Sequence, residues 1–261
     1  VAMADPNPLV SGRGLARLEA AGITTVCGLL EGEARELNIG FVSRMARGRP
    51  WVRLKAAASL DGKTALNDGQ SQWITGNAAR QDGHRWRARA CAILTGIGTV
   101  RCDDPQLTVR GIDTPRQPLK IVVDSRLELS PQARLFDGNA LLIATATRTA
   151  ERIDRLRGCG AEVLVLPERS GRVDLSALTL ELGRRGINEL HVEAGSTLNG
   201  ALLGRGLVDE LLLYLAPCLI GNCARGLFDL PALASLGAKK VLAVREWRQI
   251  GEDLRLLARF G

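Results

Sequence analysis

The sequence predicts an α/β fold with a mostly parallel central sheet flanked by helices and an antiparallel C-terminal edge. Three observations predict it. From Trp51 onward, short runs rich in Val, Ile and Leu alternate with charged or amphipathic stretches of helical length. Gly, Pro, Asp and Ser punctuate the changeovers. The last two apolar runs have no helical stretch between them, so they pair as an antiparallel hairpin.

The elements follow in order. Residues 15–21 read as a short helix, 24–27 as a short strand and 31–47 as an amphipathic helix. This opening unit is too small to own a core. Arg47-Gly48-Arg49-Pro50 marks a plausible boundary, so that 1–49 and 50–261 are separate domains. Strands are expected at 52–58, 91–95, 119–124, 140–145, 162–166, 189–193 and 210–216. Helices are expected at 77–89, 149–157, from an Asp174 cap to about 185, and at 196–204. The closing hairpin takes 241–247 and 254–259. No internal repeat is present.

Composition narrows the function classes. Of 261 residues, 46% are hydrophobic and only 3% aromatic, so the core is built from aliphatic side chains. No apolar run reaches the roughly 20 residues of a membrane span, and no signal peptide opens the chain; a cytoplasmic, membrane-free protein is the expectation. The chain begins on Val1 and a turn cluster, Asp5-Pro6-Asn7-Pro8, which reads as the start of a piece of something longer. The net charge of +7 reads as a solvated arginine-rich surface with room for small phosphorylated ligands. Nucleic-acid binding is not expected, because single-strand binding wants aromatics among the basic residues. Six scattered cysteines without a C-x-x-C read as reduced thiols, mostly in the core.

Four constellations carry possible chemistry. The first is a buried strand, Leu190-His191-Val192-Glu193-Ala194, running into Gly195-Ser196-Thr197-Leu198-Asn199-Gly200-Ala201 at a helix start. Free N–H groups and the helix dipole suit an anion there. Gly195 admits a phosphate to the backbone and Gly200 permits close helix packing. The spacing is neither G-x-G-x-x-G nor a P-loop, so a plain strand-to-helix turn weighs equally. The second is Arg53-Leu54-Lys55-Ala56-Ala57-Ala58-Ser59-Leu60-Asp61-Gly62-Lys63. Its small residues leave Lys55 able to face a cleft; the bland reading is an edge strand with its lysine in water. The third is Ser71-Gln72-Trp73-Ile74-Thr75 before a helix bearing His84, Arg85, Arg87 and Arg89. Trp73 suits stacking on a flat ring, and Arg87 suits a phosphate; a core tryptophan and a solvated arginine are the bland readings. The fourth is Thr95-Gly96-Ile97-Gly98-Thr99-Val100, then Asp103-Asp104-Pro105-Gln106-Leu107-Thr108-Val109-Arg110. Glycines at a strand end mark the ligand edge of an open sheet, while Asp104 reads as a turn cap.

One arrangement imitates a zinc deaminase: His191-Val192-Glu193 with later Pro217-Cys218 and Cys223. The histidine and glutamate sit on an apolar strand. The two cysteines have four residues between them rather than two, and Cys218 lies in an apolar segment. No metal ligand is assigned.

Together the four constellations resemble the reductase domain of the bifunctional riboflavin-biosynthesis deaminase/reductase. The matching stretches run in order over roughly 50–258. They are 55–64, 71–75, 92–110, Ile121-Val122-Val123-Asp124-Ser125, Val192-Glu193-Ala194-Gly195 and Leu207-Val208-Asp209-Glu210-Leu211. Residues 3–49 resemble the tail of the family's deaminase domain, whose zinc motif would lie upstream. The resemblance implies a dihydrofolate-reductase-like fold, a homodimer and an NADPH-dependent reduction. The substrate is a small phosphorylated pyrimidine, 5-amino-6-(5-phosphoribosylamino)uracil, whose ribose becomes a ribityl chain. It assigns Ala57, Trp73, Thr99, Asp103, Ser125 and Gly195, Ser196, Thr197, Leu198, Asn199, Gly200 and Ala201 to NADPH. Ser71, Arg87, Leu107, Arg110 and Glu193 go to the substrate, Arg87 and Arg110 as phosphate clamps. The family often carries glycine where this chain has Ala57, which narrows the space for the cofactor. Lys55 is the candidate for stabilising or protonating a substrate heteroatom, with Asp103 next for proton handling. Zinc belongs only to the upstream domain. The alternatives are another NADPH-dependent reductase of the same fold, a zinc nucleobase deaminase, or a basic RNA-binding module.

Overall fold

The computed structural model of the chain describes residues 1–260. In chain order the helices and strands are α1 (Arg13–Ala20), α2 (Glu31–Leu37), α3 (Ile39–Arg47), β1 (Trp51–Ser59), β2 (Lys63–Ala65), α4 (Asn77–Arg89), β3 (Ala92–Gly96), α5 (Ile97–Asp103), β4 (Leu119–Val123), β5 (Leu141–Thr145), α6 (Ala150–Gly158), β6 (Glu162–Val165), β7 (Glu168–Arg169), β8 (Arg172–Val173), α7 (Leu175–Arg184), β9 (Glu189–Val192), α8 (Ser196–Gly204), β10 (Glu210–Ala216), β11 (Arg225–Gly226), β12 (Leu242–Ile250) and β13 (Asp253–Phe260). The chain divides into two units. One comprises Val1–Trp51 with Thr179–Asn188; the other comprises Val52–Leu178 with the chain from Glu189 on.

In the first unit the stretch read as one helix over 31–47 is two, α2 and α3. Asn38 breaks it at φ −106° and ψ 23°, and its amide Nδ2 donates back to the Ala34 carbonyl at 2.9 Å. Short amides compete with the helical ladder in this way. The strand expected at 24–27 does not form: no neighbour pairs with it, although the Val1 amino group donates to the Val26 carbonyl. A Cβ on Gly183 would sit 2.0 Å from the Gly48 carbonyl oxygen, so only glycine lets the end of α3 approach this helix.

The second unit is built on a nine-stranded sheet in the order β12-β13-β10-β1-β9-β3-β4-β5-β6. Strand β1 pairs parallel with β10, and β9, β3, β4, β5 and β6 pair parallel in turn. Strand β13 runs antiparallel to both β10 and β12, which forms the C-terminal edge. The parallel core explains the near-continuous apolar runs of β4, β5 and β10, since strands covered on both faces need no polar alternation. At the edge, β12 is mostly exposed and its register slips between Val244 and Glu246. The mixed α/β fold with its antiparallel edge is therefore as the sequence predicts.

Several charged residues on strands are buried, among them Arg53, Lys120 and Glu210. Arg53 of β1 faces its parallel register partner Glu210, with Nε 2.6 Å from the carboxylate, and reaches Glu189 at 2.9 Å. Lys120 of β4 is fully buried and donates to the Leu135 carbonyl and to Asp137. Such groups are tolerated because each finds partners. Asp174 caps α7 as expected, accepting from the Ser176 and Ala177 amides.

The cysteines correct a sequence expectation. Five are exposed and Cys91 is half-buried, so none is a full core residue. They fall in loops and on helix ends, where small apolar residues meet solvent.

Candidate active site

Strand β1 lies between β10 and β9, so Lys55 is on an interior strand and not at an edge. Its ammonium makes no hydrogen bond among the described residues. This separates it from Lys120, whose donors are tied off. Burial lowers its pKa, Glu193 pulls it back up, and Arg87 lowers it further. Nζ stands 5.9 Å from the centre of the Tyr214 ring, a cation held over an aromatic face. A half-buried lysine without a committed partner, its pKa lowered, is poised to release a proton.

Glu193 follows the end of β9, where its amide donates to Leu94 of β3. Arg87 of α4 grips it bidentately, Nε to Oε1 at 2.6 Å and Nη2 to Oε2 at 2.8 Å, and gives a third bond to the Thr108 carbonyl at 3.0 Å. Burial alone would raise the Glu193 carboxyl, but the Arg87 guanidinium holds it well below the usual range. The carboxylate is thus an anion at neutral pH. His191 is fully buried beside it, with Nε2 3.3 Å from Oε1 but without hydrogen-bond alignment. Burial keeps His191 neutral by lowering its pKa.

Beneath Lys55 a network fixes the floor. The Tyr214 hydroxyl donates to Asp82 at 2.6 Å, and Arg255 reaches the same carboxylate at 2.7 Å. Burial and Asp82 both raise the Tyr214 pKa, so it stays a neutral donor. The sequence reading missed this network. Its one signal was that the chain's single tyrosine sits inside an otherwise aliphatic strand run.

The two arginines assigned to the phosphate differ in their surroundings. Arg87 is spent on Glu193 and Thr108, whereas Arg110 is exposed. Arg110 has only long bonds to Gln106 and Thr108, at 3.3 and 3.2 Å. Its backbone amide donates to His84 Nδ1. Burial, Arg87 and Arg110 together lower His84 to about 4, so this histidine is neutral at working pH. Leu107 has its side chain in the core at 2% exposure, with φ +51°. Only its backbone can meet a ligand.

Several of the remaining residues follow the C-terminal ends of parallel strands, Thr99 after β3, Ser125 after β4 and Gly195 after β9. Gly195 is the N-cap of α8 in an extended conformation, and no side chain caps the helix. The first-turn amides therefore lack partners within the helix. A Cβ built on Gly195 would approach only Thr99 Oγ1, at 3.8 Å. Leu198 of α8 packs on Gly96, where a Cβ would meet it at 3.2 Å. These contacts join the first and fourth constellations. Gly200 serves close packing as expected: its Cβ would lie 2.0 Å from the Asp229 carbonyl oxygen. Trp73 is 70% exposed with the Arg80 guanidinium 4.6 Å from the ring centre, which leaves the indole available for stacking. Ala57 packs beside Tyr214. Ser125 Oγ accepts from the Val173 amide at 3.1 Å. Asp103 contacts Ser71 Oγ at a long 3.5 Å, and burial raises its pKa; no hydrogen bond ties it to Lys55 or Glu193. Asp104 accepts from the Arg134 amide, a structural role.

The zinc-like arrangement does not assemble. His191 is interior, Cys218 and Cys223 are exposed, and no group of three or more His, Cys, Asp or Glu is placed to hold a metal among the described residues. Nor is any helix long and apolar enough to cross a membrane.

The RibD C-terminal domain family matches residues 50–256. The riboflavin biosynthesis protein RibD of Escherichia coli is 44% identical over 268 residues, covering 97% of this chain and 72% of that protein. A structure of Acinetobacter baumannii RibD superposes with a TM-score of 0.90 at 37% identity, covering all of this chain and 72% of the other. A Thermotoga maritima protein described as a diaminohydroxyphosphoribosylaminopyrimidine deaminase/5-amino-6-(5-phosphoribosylamino)uracil reductase superposes at 0.85 with 28% identity, covering all of this chain and 70% of the other.

Proposed function

This chain belongs to the RibD C-terminal domain family, and from that premise we propose that it reduces 5-amino-6-(5-phosphoribosylamino)uracil to its ribitylamino product with NADPH. The observation that carries the reading is the cluster of Lys55 from the middle of β1, Glu193 just after β9 and Arg87 of α4, with the uncapped start of α8 three residues beyond Glu193.

The residues present fit a dinucleotide. The first-turn amides of α8 would take its diphosphate, Trp73 would cover a ring, and Thr99 and Ser125 offer hydroxyls along the strand ends. When bound, NADPH supplies the hydride and leaves as NADP⁺. The chain's residues do the rest. Glu193, held anionic and rigid by Arg87, accepts hydrogen bonds from the substrate and orients it. Opening of the sugar ring gives an imine between C1′ and the exocyclic nitrogen. Lys55, with its lowered pKa, donates a proton to a substrate heteroatom as the ring opens. A hydride supplied at C1′ together with a proton from solvent on the nitrogen would complete the saturated amine. Arg110 holds the substrate phosphate, and Arg87 acts through Glu193. Asp103 and Ser71 flank the site, and Leu107 contributes backbone.

The family resemblance also implies a homodimer and a cytoplasmic setting, and an upstream deaminase domain with its own zinc. Exposed Val244 and Trp247 on the outer strand β12 support a second copy pairing there; light scattering of the purified chain tests it. Residues 1–49 are then the tail of that upstream domain. Oxidation of NADPH in the presence of the deaminated phosphoribosylaminouracil, and not of dihydrofolate, tests the function. Turnover of dihydrofolate alone would favour another reductase on this scaffold.

A further inference from the structure

A cavity of about 400 Å³ opens beside α8, and Lys55 is not among the residues that line it. Its lining includes Arg169, Arg172, Thr197, Ala201 and Arg205, and Asp229 as well. Resting on the NADPH reading above, we propose that Arg169 and Arg172, with Arg205 opposite, clasp the 2′-phosphate of NADPH and so select it over NADH.

The hairpin that carries the first two arginines is unusual in its charge. Strands β7 and β8 pair Arg169 directly with Arg172 across a turn at Ser170 and Gly171, both with positive φ. Directly opposed side chains stand on one face about 5 Å apart, and like charges so placed repel. Neither arginine makes an ion pair among the described residues, and Arg205 makes only a 3.3 Å bond to the Ala201 carbonyl. The nearby Glu168 is occupied by the Gly171 amide, which stabilises the turn and not the arginines. Asp229 forms no ion pair with any of the three. An anion between the opposed guanidinia would relieve the repulsion and use the fork geometry that suits phosphate.

Position selects which phosphate. Thr197, Ala201 and Arg205 stand one turn apart along the flank of α8, so the cavity runs down the helix from its amides. The amides are already assigned to the diphosphate. The hairpin is anchored to Ser125 by the Val173 amide, which puts the arginines beside the end of β4, on the far side of the amides from Lys55. A dinucleotide with its reactive ring at Lys55 and its diphosphate at α8 carries its adenosine towards this hairpin. The group there that distinguishes the two cofactors is a dianionic phosphate monoester.

Calorimetric titration of the full chain with NADPH, NADH and 2′,5′-ADP tests the clasp, using wild type and R169A/R172A. Wild type should prefer NADPH. The double variant should bind NADPH and 2′,5′-ADP about 10- to 100-fold more weakly, the loss of one or two charge-assisted contacts, with NADH affinity and Tm unchanged. R169K/R172K should recover part of the loss. Unchanged NADPH affinity overturns the clasp, and so does an equal loss for both cofactors, which would place the arginines on the diphosphate or in the fold. A wild type that binds neither dinucleotide overturns the cofactor reading and the clasp with it.

Discussion

Lys55→Met separates what the lysine does for catalysis from what it costs the fold. Methionine keeps the length and removes the charge. Lys55 sits on an interior strand with no hydrogen bond, and burial lowers its pKa from the free value of 10.5. A lowered lysine pKa means that the unfolded chain binds the proton more tightly. The penalty is complete below the folded pKa and is relieved as pH rises from there towards 10.5. The variant should therefore be no less stable than wild type at neutral pH, and its stability should lack the rise that wild type shows at alkaline pH. Catalysis should fall by about 10²–10⁴, roughly 3–5 kcal/mol, the range for a removed general acid. The neighbours do not substitute for it. Arg87 is bound to Glu193, and His84, at about 4, carries no proton to give at neutral pH. Absorbance assays of NADPH oxidation give kcat and KM, and thermal melts across pH give stability. An unchanged kcat in a folded variant removes Lys55 from the chemistry. A large loss of Tm at neutral pH refutes the argument from burial.

Glu193→Gln should cost about 2–3 kcal/mol by urea unfolding at neutral pH. Breaking a buried pair costs 3–5 kcal/mol, and both side chains here keep 15% exposure. Because the folded Glu193 pKa is depressed, its stabilisation is present above about pH 4.5 and lost as pH falls through the folded value; the variant should show a flatter acid limb. Arg110→Ala should raise KM about 10- to 100-fold for the phosphorylated substrate and leave the dephosphorylated analogue untouched; equal effects on both would deny the phosphate contact. Gly200→Ala should destabilise by about 2–3 kcal/mol in thermal melts, because its Cβ would strike the Asp229 carbonyl. Gly204→Ala, with open space around its Cβ, should be neutral or slightly stabilising, and the contrast isolates the clash from helix propensity.

Much of the fold was legible because its signals are local. Helices α4 and α8 and strand β10 match their expected bounds to the residue, since glycines, charged residues or, after β10, Pro217 mark their ends. The stretch 96–103 hid helix α5 because two glycines near its start read as a loop. The two-residue strands β7 and β8 are too short to show a period. For the site, residue type singled out Lys55, Glu193 and Arg87, and the structure brings these three within electrostatic reach of one another. What the sequence could not display is partnership. That Arg87 is spent on Glu193, and that Leu107 turns its side chain into the core, depend on chain segments that meet only in three dimensions.

The slipped register at the outer strand has a consequence for the protein's behaviour as a material. Strand β12 leaves one row of backbone donors and acceptors without a strand on its outer side, and such a row templates open-ended stacking. The extra residue, Arg245, twists the strand and brings a charge to the point where another strand would seat. Arg248 adds a second. Growth by strand addition would have to accommodate both, so any copy that docks on this edge meets a surface that favours a closed pair over a filament.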